Sequence, residues 1–175
     1  MYIIMFTDIA NFNNTQDYLS LFNGVLITDL FVILCLNTQF IKSDILRQWY
    51  DKYNLSAVIA DVLIIFIGLI IARAIYYYIF DTFSIVRFVC LAVIIQIMHD
   101  ILFYIFFTNI PRGINKMLDT FKDYAKEASY KAILSDSGMM IMASLLASYL
   151  AGKSLNTNII VLIVFMYILP YLLYN

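Results

Sequence analysis

The stretch that decides the fold is LSAVIADVLIIFIGLIIARAIYYYIF, residues 55–80. It is apolar over nearly its whole length, and its charged residues are Asp61 and Arg73. A helix needs roughly 17–25 mostly apolar residues to cross the hydrocarbon core of a bilayer. The stretch therefore predicts a membrane-spanning helix that carries an acidic side chain near its beginning.

Four more stretches have the same character, and they cover residues 20–38, 84–107, 138–151 and 158–174. The third of these is short, although it can be lengthened at either end. We therefore predict an all-α fold: a polytopic transmembrane bundle of five spans that forms a single domain over residues 1–175.

The composition supports a membrane location. Hydrophobic residues make up 63% of the chain and charged residues 13%, with a mean hydropathy of +0.87. Soluble domains contain roughly 45–50% apolar and about 25% charged residues. A soluble chain of 175 residues could not bury this much apolar surface away from water. The lipid bilayer is thus the expected partner, and a net charge of −1 argues against a nucleic-acid partner.

Residues 1–18 contain no Lys or Arg, so the positively charged part of a secretory signal is missing and we expect the first span to be retained.

The cysteines, Cys35 and Cys90, are predicted near opposite ends of their spans. They are too far apart for a disulfide bond, so both should be free thiols. With one His and no CxxC motif, we expect neither structural zinc nor a cofactor, and the sequence leaves other metals open.

Two amphipathic segments separate the spans. In the first, Ile41, Ile45 and Trp49 recur every four residues. The second, residues 114–131, places Ile114, Met117, Leu118, Phe121, Ala125 and Ala128 on one helical face. Both patterns predict short interfacial helices that lie on the membrane surface. The alternative for the second helix is a solvated connector packed on the end of the bundle.

The basic residues predict the topology, because cytosolic loops of membrane proteins are enriched in Lys and Arg. The N-terminal tail has none, whereas the first and third loops carry Lys42, Arg47, Lys52, Arg112, Lys116, Lys122, Lys126 and Lys131. The other side carries Arg87 and Lys153, and Arg73 is expected to snorkel towards it. The N-terminus should therefore lie outside or in the lumen, and the C-terminus in the cytosol.

The most informative residues are polar side chains within or at the ends of spans, because each is costly in hydrocarbon. They are Asp29, Asp61, Gln96, His99, Asp100 and Asp136. At 1.5 Å per residue, Asp61 and Asp100 lie roughly 9–10 Å from the same membrane edge, and Asp29 about 13 Å. The carboxyl groups and the imidazole should therefore lie at similar heights, as a candidate polar or ion-binding site.

Small residues predict where helices pack closely. They are Gly68 and Ala72 in the second span, and Ala143, Ala147, Ala151, Ser144, Ser148 and Gly152 around the fourth. Because the fourth span carries two ribbons of small residues, we predict that it is a central packing helix.

The sequence leaves three functional hypotheses. The leading one is a structural or assembly component of a membrane, in which the buried Asp and His side chains hold helices together. The second is a small protein that conducts protons or cations through Asp61, His99 and Asp100. The third is an intramembrane enzyme with His99 and Asp100 as an acid–base pair. No nucleophile elbow, HExxH motif or phosphate loop accompanies that pair, which favours a non-enzymatic role.

The segments SAVIADVLIIFIGLIIARAIYYYIF, residues 56–80, and MHDILFYIFFTNIPRGINKMLDTFKDYAKEA, residues 98–128, resemble small multi-pass membrane proteins of large eukaryotic DNA viruses. The resemblance rests on the overall texture, rich in Ile, Asn, Tyr and Lys, and on the placement of Asp61 and of His99–Asp100. It implies a protein of the virion's internal membrane or of the host membranes from which that membrane is made. Homo-oligomers or other membrane proteins are the expected protein partners.

Overall fold

A computed structural model describes residues 6–174, which form seven helices and no strand. The helices are α1 (Asp17–Asn37), α2 (Asp44–Tyr53), α3 (Leu55–Ile79), α4 (Ile85–Thr108), α5 (Lys116–Ala128), α6 (Tyr130–Ala151) and α7 (Leu155–Leu173). Within that range, five helices are long and apolar enough to cross a membrane, namely α1, α3, α4, α6 and α7. The predicted all-α bundle is confirmed, and its five long helices fit a multi-pass integral membrane protein.

Several helices differ in their bounds from the approximate spans that were predicted. The span expected from residue 20 begins at Asp17, and the one expected from residue 158 begins at Leu155. The span expected over 138–151 begins already at Tyr130. Its first turns contain Lys131 and Asp136, whose charges lowered the apolar signal there. The surface helix expected over 114–131 is shorter, Lys116–Ala128.

Two of the helix junctions consist of a single residue with unusual backbone angles. Asn54 separates α2 from α3 with φ 48° and ψ −127°, and Ser129 separates α5 from α6 with φ 51° and ψ −134°. Residues other than glycine rarely adopt a positive φ because of their Cβ atom. Each amphipathic helix is therefore joined to the following span by a sharp, strained turn.

This strain predicts that Ser129→Gly stabilises the protein by about 1 kcal/mol, because glycine adopts a positive φ without steric cost. Ser137→Gly is the matched control, since Ser137 lies inside α6 and glycine there should destabilise the helix by roughly 0.5 kcal/mol. Thermal unfolding of the two variants in the same detergent compares them. Equal destabilisation by both would show that the turn at Ser129 is not strained.

The most enclosed helix is α1, against which α3, α6 and α7 pack. The helix predicted to be a central packing helix, α6, packs mainly against α1 and α4 and also touches α3 and α5. Close approach of α1 and α6 depends on Gly24, where an added Cβ would lie 2.7 Å from the carbonyl oxygen of Ala143 and from the amide nitrogen of Ala147. The single glycine of α1 thus receives the small-residue ribbon of α6.

The structure buries most of the small residues that were predicted to pack. Gly68, Ala72, Ala143, Ser144, Ala147 and Ser148 are buried, Ala151 is half-buried and Gly152 is exposed. Gly68 lies against Met140 of α6, since a Cβ there would be 2.8 Å from the Met140 Cε atom. Close packing thus joins α3 and α1 to α6.

Apolar side chains cover much of the outer surface of the bundle. On α3, exposed residues recur every four positions at Ile59, Leu63, Ile67 and Ile71. α4 and α7 also expose many large apolar side chains. An aqueous surface rarely carries continuous apolar faces of this length, whereas hydrocarbon accommodates them.

One end of the bundle, called here the N-terminal end, is closed by residues 6–16 and organised around Arg73. The Arg73 side chain is buried, and its Nη2 donates to the carbonyl oxygens of Asn11 (2.5 Å) and Asn14 (2.8 Å). The same nitrogen lies 3.3 Å from Asp17 Oδ2, and the guanidinium lies 4.7 Å from the centre of the Tyr18 ring. Arg73 therefore does not snorkel outward as expected, because the N-terminal segment folds over it and accepts from its Nη2, while its Nε and Nη1 are buried without a hydrogen-bond partner.

The opposite end, called here the basic end, carries α2 and α5, which pack against each other. The Trp49 and Phe121 ring centres are 4.8 Å apart. The Tyr53 hydroxyl donates to the carbonyl oxygen of Lys116 at 2.6 Å and lies 2.9 Å from Thr120 Oγ1. These contacts place α5 on the end of the bundle, as in the connector alternative for this segment.

Cys35 is buried in α1, Cys90 is exposed on α4, and both are free thiols.

Candidate functional site

A cavity of about 660 Å³ lies at the basic end, between α3, α4 and α6 and beneath α2 and α5. Five of the six predicted polar side chains line it: Asp61, Gln96, His99, Asp100 and Asp136. The remainder of its wall is largely apolar and aromatic. Three spans that are separate in sequence thus bring polar groups to one space, called here the acidic cavity.

Asp61 enters the acidic cavity from the first part of α3 and is held by α2. The indole Nε1 of Trp49 donates to Asp61 Oδ2 at 2.9 Å. Trp49 is 4% exposed, so this bond lies in an enclosed environment. Because an indole can only donate, the carboxyl group of Asp61 must present an acceptor oxygen to it.

Asp29 does not line the cavity, unlike the other predicted residues, but α2 connects it to the site. The Tyr50 hydroxyl donates to Asp29 Oδ1 at 3.0 Å, and Tyr50 itself lines the cavity. Burial raises the pKa of Tyr50 well above its usual value, and the negative charges of Asp61 and Asp29 raise it further. The phenol therefore keeps its proton and acts as the donor. Asp29 is fully buried, and its Oδ2 has no hydrogen-bond partner.

Asp100 is held by two neighbours on its own helix. Gln96 Nε2 donates to Asp100 Oδ1 at 2.7 Å, and His99 Nδ1 lies 3.2 Å from the same oxygen. The His99 ring stacks on Phe103, with 5.6 Å between ring centres. The other oxygen, Asp100 Oδ2, is buried without a partner. The cavity wall therefore contains a carboxyl group with one oxygen still able to accept a proton or a cation.

Asp136 reaches the cavity from the beginning of α6, across from Tyr124 on α5. Burial raises the pKa of Tyr124, and the charges of Asp136 and Asp61 add to the effect. Tyr124 therefore stays neutral and gives this side of the cavity a hydroxyl group. α5 thus contributes a polar group as well as apolar cover.

Among residues 6–174, no Lys or Arg side chain lines the acidic cavity. In the part of the chain that the structure describes, no Lys or Arg forms an ion pair with Asp29, Asp61, Asp100 or Asp136. The ion-pair partner of Asp100 is His99, which is charged only when protonated. Carboxylates without a compensating charge are costly in a low-dielectric interior, and a bound proton or cation removes that cost.

The residues do not form the ligand set of a metal centre. Over residues 6–174, no three His, Cys, Asp or Glu side chains come close enough together to hold a metal ion. Protein metal sites generally need three or more such ligands.

The enzyme hypothesis required an open cavity beside His99 and Asp100, and the structure has one. A nucleophile would also be needed within hydrogen-bond distance of the base. Over residues 6–174, His99 hydrogen-bonds to Asp100, and no Ser, Thr or Cys side chain bonds to it. The geometry thus supplies an acid–base pair without an activated nucleophile.

Sequence reasoning missed three members of the site: Trp49, Tyr50 and Tyr124. A signal existed for Trp49, which lies on the apolar face of the first amphipathic segment and carries an N–H that needs a partner when buried. Tyr50 and Tyr124 had no such signal, because their roles depend on how α2 and α5 fold back over the bundle.

Comparisons with protein-family models, with curated proteins and with solved structures found no match.

Proposed function

We propose that the chain is a multi-pass integral membrane protein that binds, and conducts, protons or small cations through the acidic cavity. One observation carries the proposal. Carboxyl groups from three spans line one cavity of about 660 Å³, and within the described residues none of them pairs with Lys or Arg.

The physical basis is electrostatic. A negative charge in surroundings of low polarity acts on a cation more strongly than the same charge in water. The Trp49–Asp61, Tyr50–Asp29 and Gln96–Asp100 hydrogen bonds hold the carboxyl groups in fixed positions. Each of these donors is neutral, so none of them offsets a negative charge that the carboxyl groups carry when they are ionised.

The distribution of basic residues favours placing the acidic cavity on the cytosolic side. α2, α5 and the residues flanking them carry eight of the eleven Lys and Arg side chains, and such loops remain in the cytosol. In this orientation the segment over residues 6–16 lies outside or in the lumen, and the C-terminus lies in the cytosol. The cavity would then exchange protons or cations with the cytosol first.

Flux measurements in liposomes test the proposal. Purified full-length protein should give a pH- or cation-dependent flux, and Asp61→Asn should abolish it while the amide oxygen still accepts from Trp49. Asp51→Asn is the matched control, because Asp51 is exposed on α2 at the same end of the bundle. It should leave flux unchanged. No flux from well-folded protein, or equal flux from Asp61→Asn, would refute conduction.

A second candidate function is a structural or assembly component of a membrane, and the hydrogen bonds that join α2 to α1 and α3 favour it. The resemblance to membrane proteins of large DNA viruses extends this proposal to a virion's internal membrane. On this hypothesis Asp100→Asn lowers thermal stability or assembly, whether or not there is flux. If both Asp61→Asn and Asp100→Asn leave stability and assembly unchanged, the structural function fails. Absence of the protein from purified virions would refute the viral location.

A further inference from the structure

A second, shallower groove of about 510 Å³ lies at the basic end, beside the acidic cavity. It is formed by the last turns of α4, the connector that follows and the outer face of α5. Three basic side chains line it, Arg112, Lys122 and Lys126, and none of its lining residues is acidic. Its charge is thus opposite to that of the acidic cavity.

The basic side chains of the groove differ in how they are held. Lys122 is fixed, because its ammonium group donates to the carbonyl oxygen of Ile110 and lies 3.6 Å from Asp119. Arg112 pairs with Asp123 at 2.7 Å, but both side chains are about half exposed, and exposed pairs are weak. Lys126 is exposed and forms no ion pair within the described residues. Arg112 and Lys126 can therefore turn towards a second anion.

The groove also has an apolar side. Tyr104 and Phe107 line it, and α4 continues from there with Ile101 and Ile105 exposed on the outer surface. α4 ends at Thr108, so the basic groups lie at the level where a membrane span gives way to water. Charge at that level and exposed apolar surface below it match the headgroup and acyl chain of one amphipathic molecule.

We infer that this groove binds an anionic phospholipid, with the phosphate on Arg112, Lys122 and Lys126 and an acyl chain along the exposed face of α4. Arg side chains bind phosphate oxygens in a bidentate manner, and Lys side chains bind them as point charges. Basic pockets at the cytosolic ends of spans are suited to acidic lipid headgroups. The groove and the acidic cavity share Tyr104, Phe107 and Ala125 but no charged residue, so substitutions of the basic side chains test lipid binding separately from conduction.

The experiment uses the full-length protein in a neutral detergent, titrated with phosphatidylglycerol or with phosphatidylcholine of the same acyl chains. Native mass spectrometry and thermal unfolding report binding. Phosphatidylglycerol should bind and raise the melting temperature more than phosphatidylcholine does. Lys126→Gln should weaken the affinity for phosphatidylglycerol about fivefold, because each basic group near the membrane surface contributes about 1 kcal/mol to binding. The double variant Arg112→Gln with Lys126→Gln should weaken it further. Lys126 is exposed and makes no ion pair, so its replacement should leave the fold intact.

Lys153→Gln is the matched control, because Lys153 lies at the N-terminal end of the bundle, away from the groove. This variant should bind phosphatidylglycerol as tightly as the parent protein does. Inorganic phosphate alone should bind far more weakly than the lipid. Equal binding of the two phospholipids, unchanged affinity of Lys126→Gln, or phosphate binding as tight as phosphatidylglycerol binding would each overturn the inference.

Discussion

Replacing Arg73 with methionine should destabilise the protein by about 3–5 kcal/mol, the usual effect of removing one partner of a buried ion pair. The Arg73 side chain has no exposed surface, and that of Asp17 is 7% exposed. Methionine fills a similar volume but leaves the Asp17 carboxylate buried without a counter-charge. The carbonyl oxygens of Asn11 and Asn14 would also lose their donor. Thermal and denaturant unfolding in detergent measure the effect.

The double variant Arg73→Met with Asp17→Asn separates charge from packing. Because the buried negative charge is also removed, it should recover a substantial part of the lost stability. Arg87→Met is the matched control, since Arg87 is exposed at the same end and should change stability little. If Arg73→Met were as stable as the parent protein, the N-terminal segment could not be held by this buried pair.

Gly24→Ala should destabilise the contact between α1 and α6 by about 1–3 kcal/mol, as overpacked positions usually do. The added methyl group would lie 2.7 Å from two backbone atoms of α6, the Ala143 carbonyl oxygen and the Ala147 amide nitrogen. Backbone atoms cannot rotate away as side chains can, so the two helices would have to separate. Gly24→Val should have a larger effect for the same reason.

Gly138→Ala provides the matched control for Gly24→Ala. Gly138 lies in α6 with no atom within 4 Å of an added Cβ. Alanine there should be neutral or stabilise the helix by up to about 1 kcal/mol. Both variants are compared by thermal unfolding in one detergent. Similar melting temperatures for Gly24→Ala and Gly138→Ala would contradict the close approach of α1 and α6.

The spans could be predicted from the sequence because each is a long apolar run, and hydrocarbon allows few other structures. The start of α6 could not be predicted, because Lys131 and Asp136 interrupt the apolar pattern in the first turns of this helix. Sequence alone does not show that Ser129, with its positive φ, separates α5 from α6.

The convergence of Asp61, Gln96, His99, Asp100 and Asp136 was predictable because helical rise fixes depth, and antiparallel spans bring equal depths together. The position of α2 and α5 over these residues was not predictable. It depends on the turns at Asn54 and Ser129, which fold the two helices across the bundle. Arg73 was assigned to the interface on depth alone. Its burial results from the fold of residues 6–16, which have no periodic pattern.

The central claim is that the cavity at the basic end admits cations from water, and cysteine accessibility tests it most directly. In a background without the native thiols, Ala132→Cys places a thiol in the cavity wall and leaves every acidic group in place. A cationic methanethiosulfonate reagent should modify this thiol at least about tenfold faster than an anionic reagent of similar size, after correction for their reactivity with a free thiol. No reaction in the folded protein, or equal rates for the two reagents, would contradict the claim.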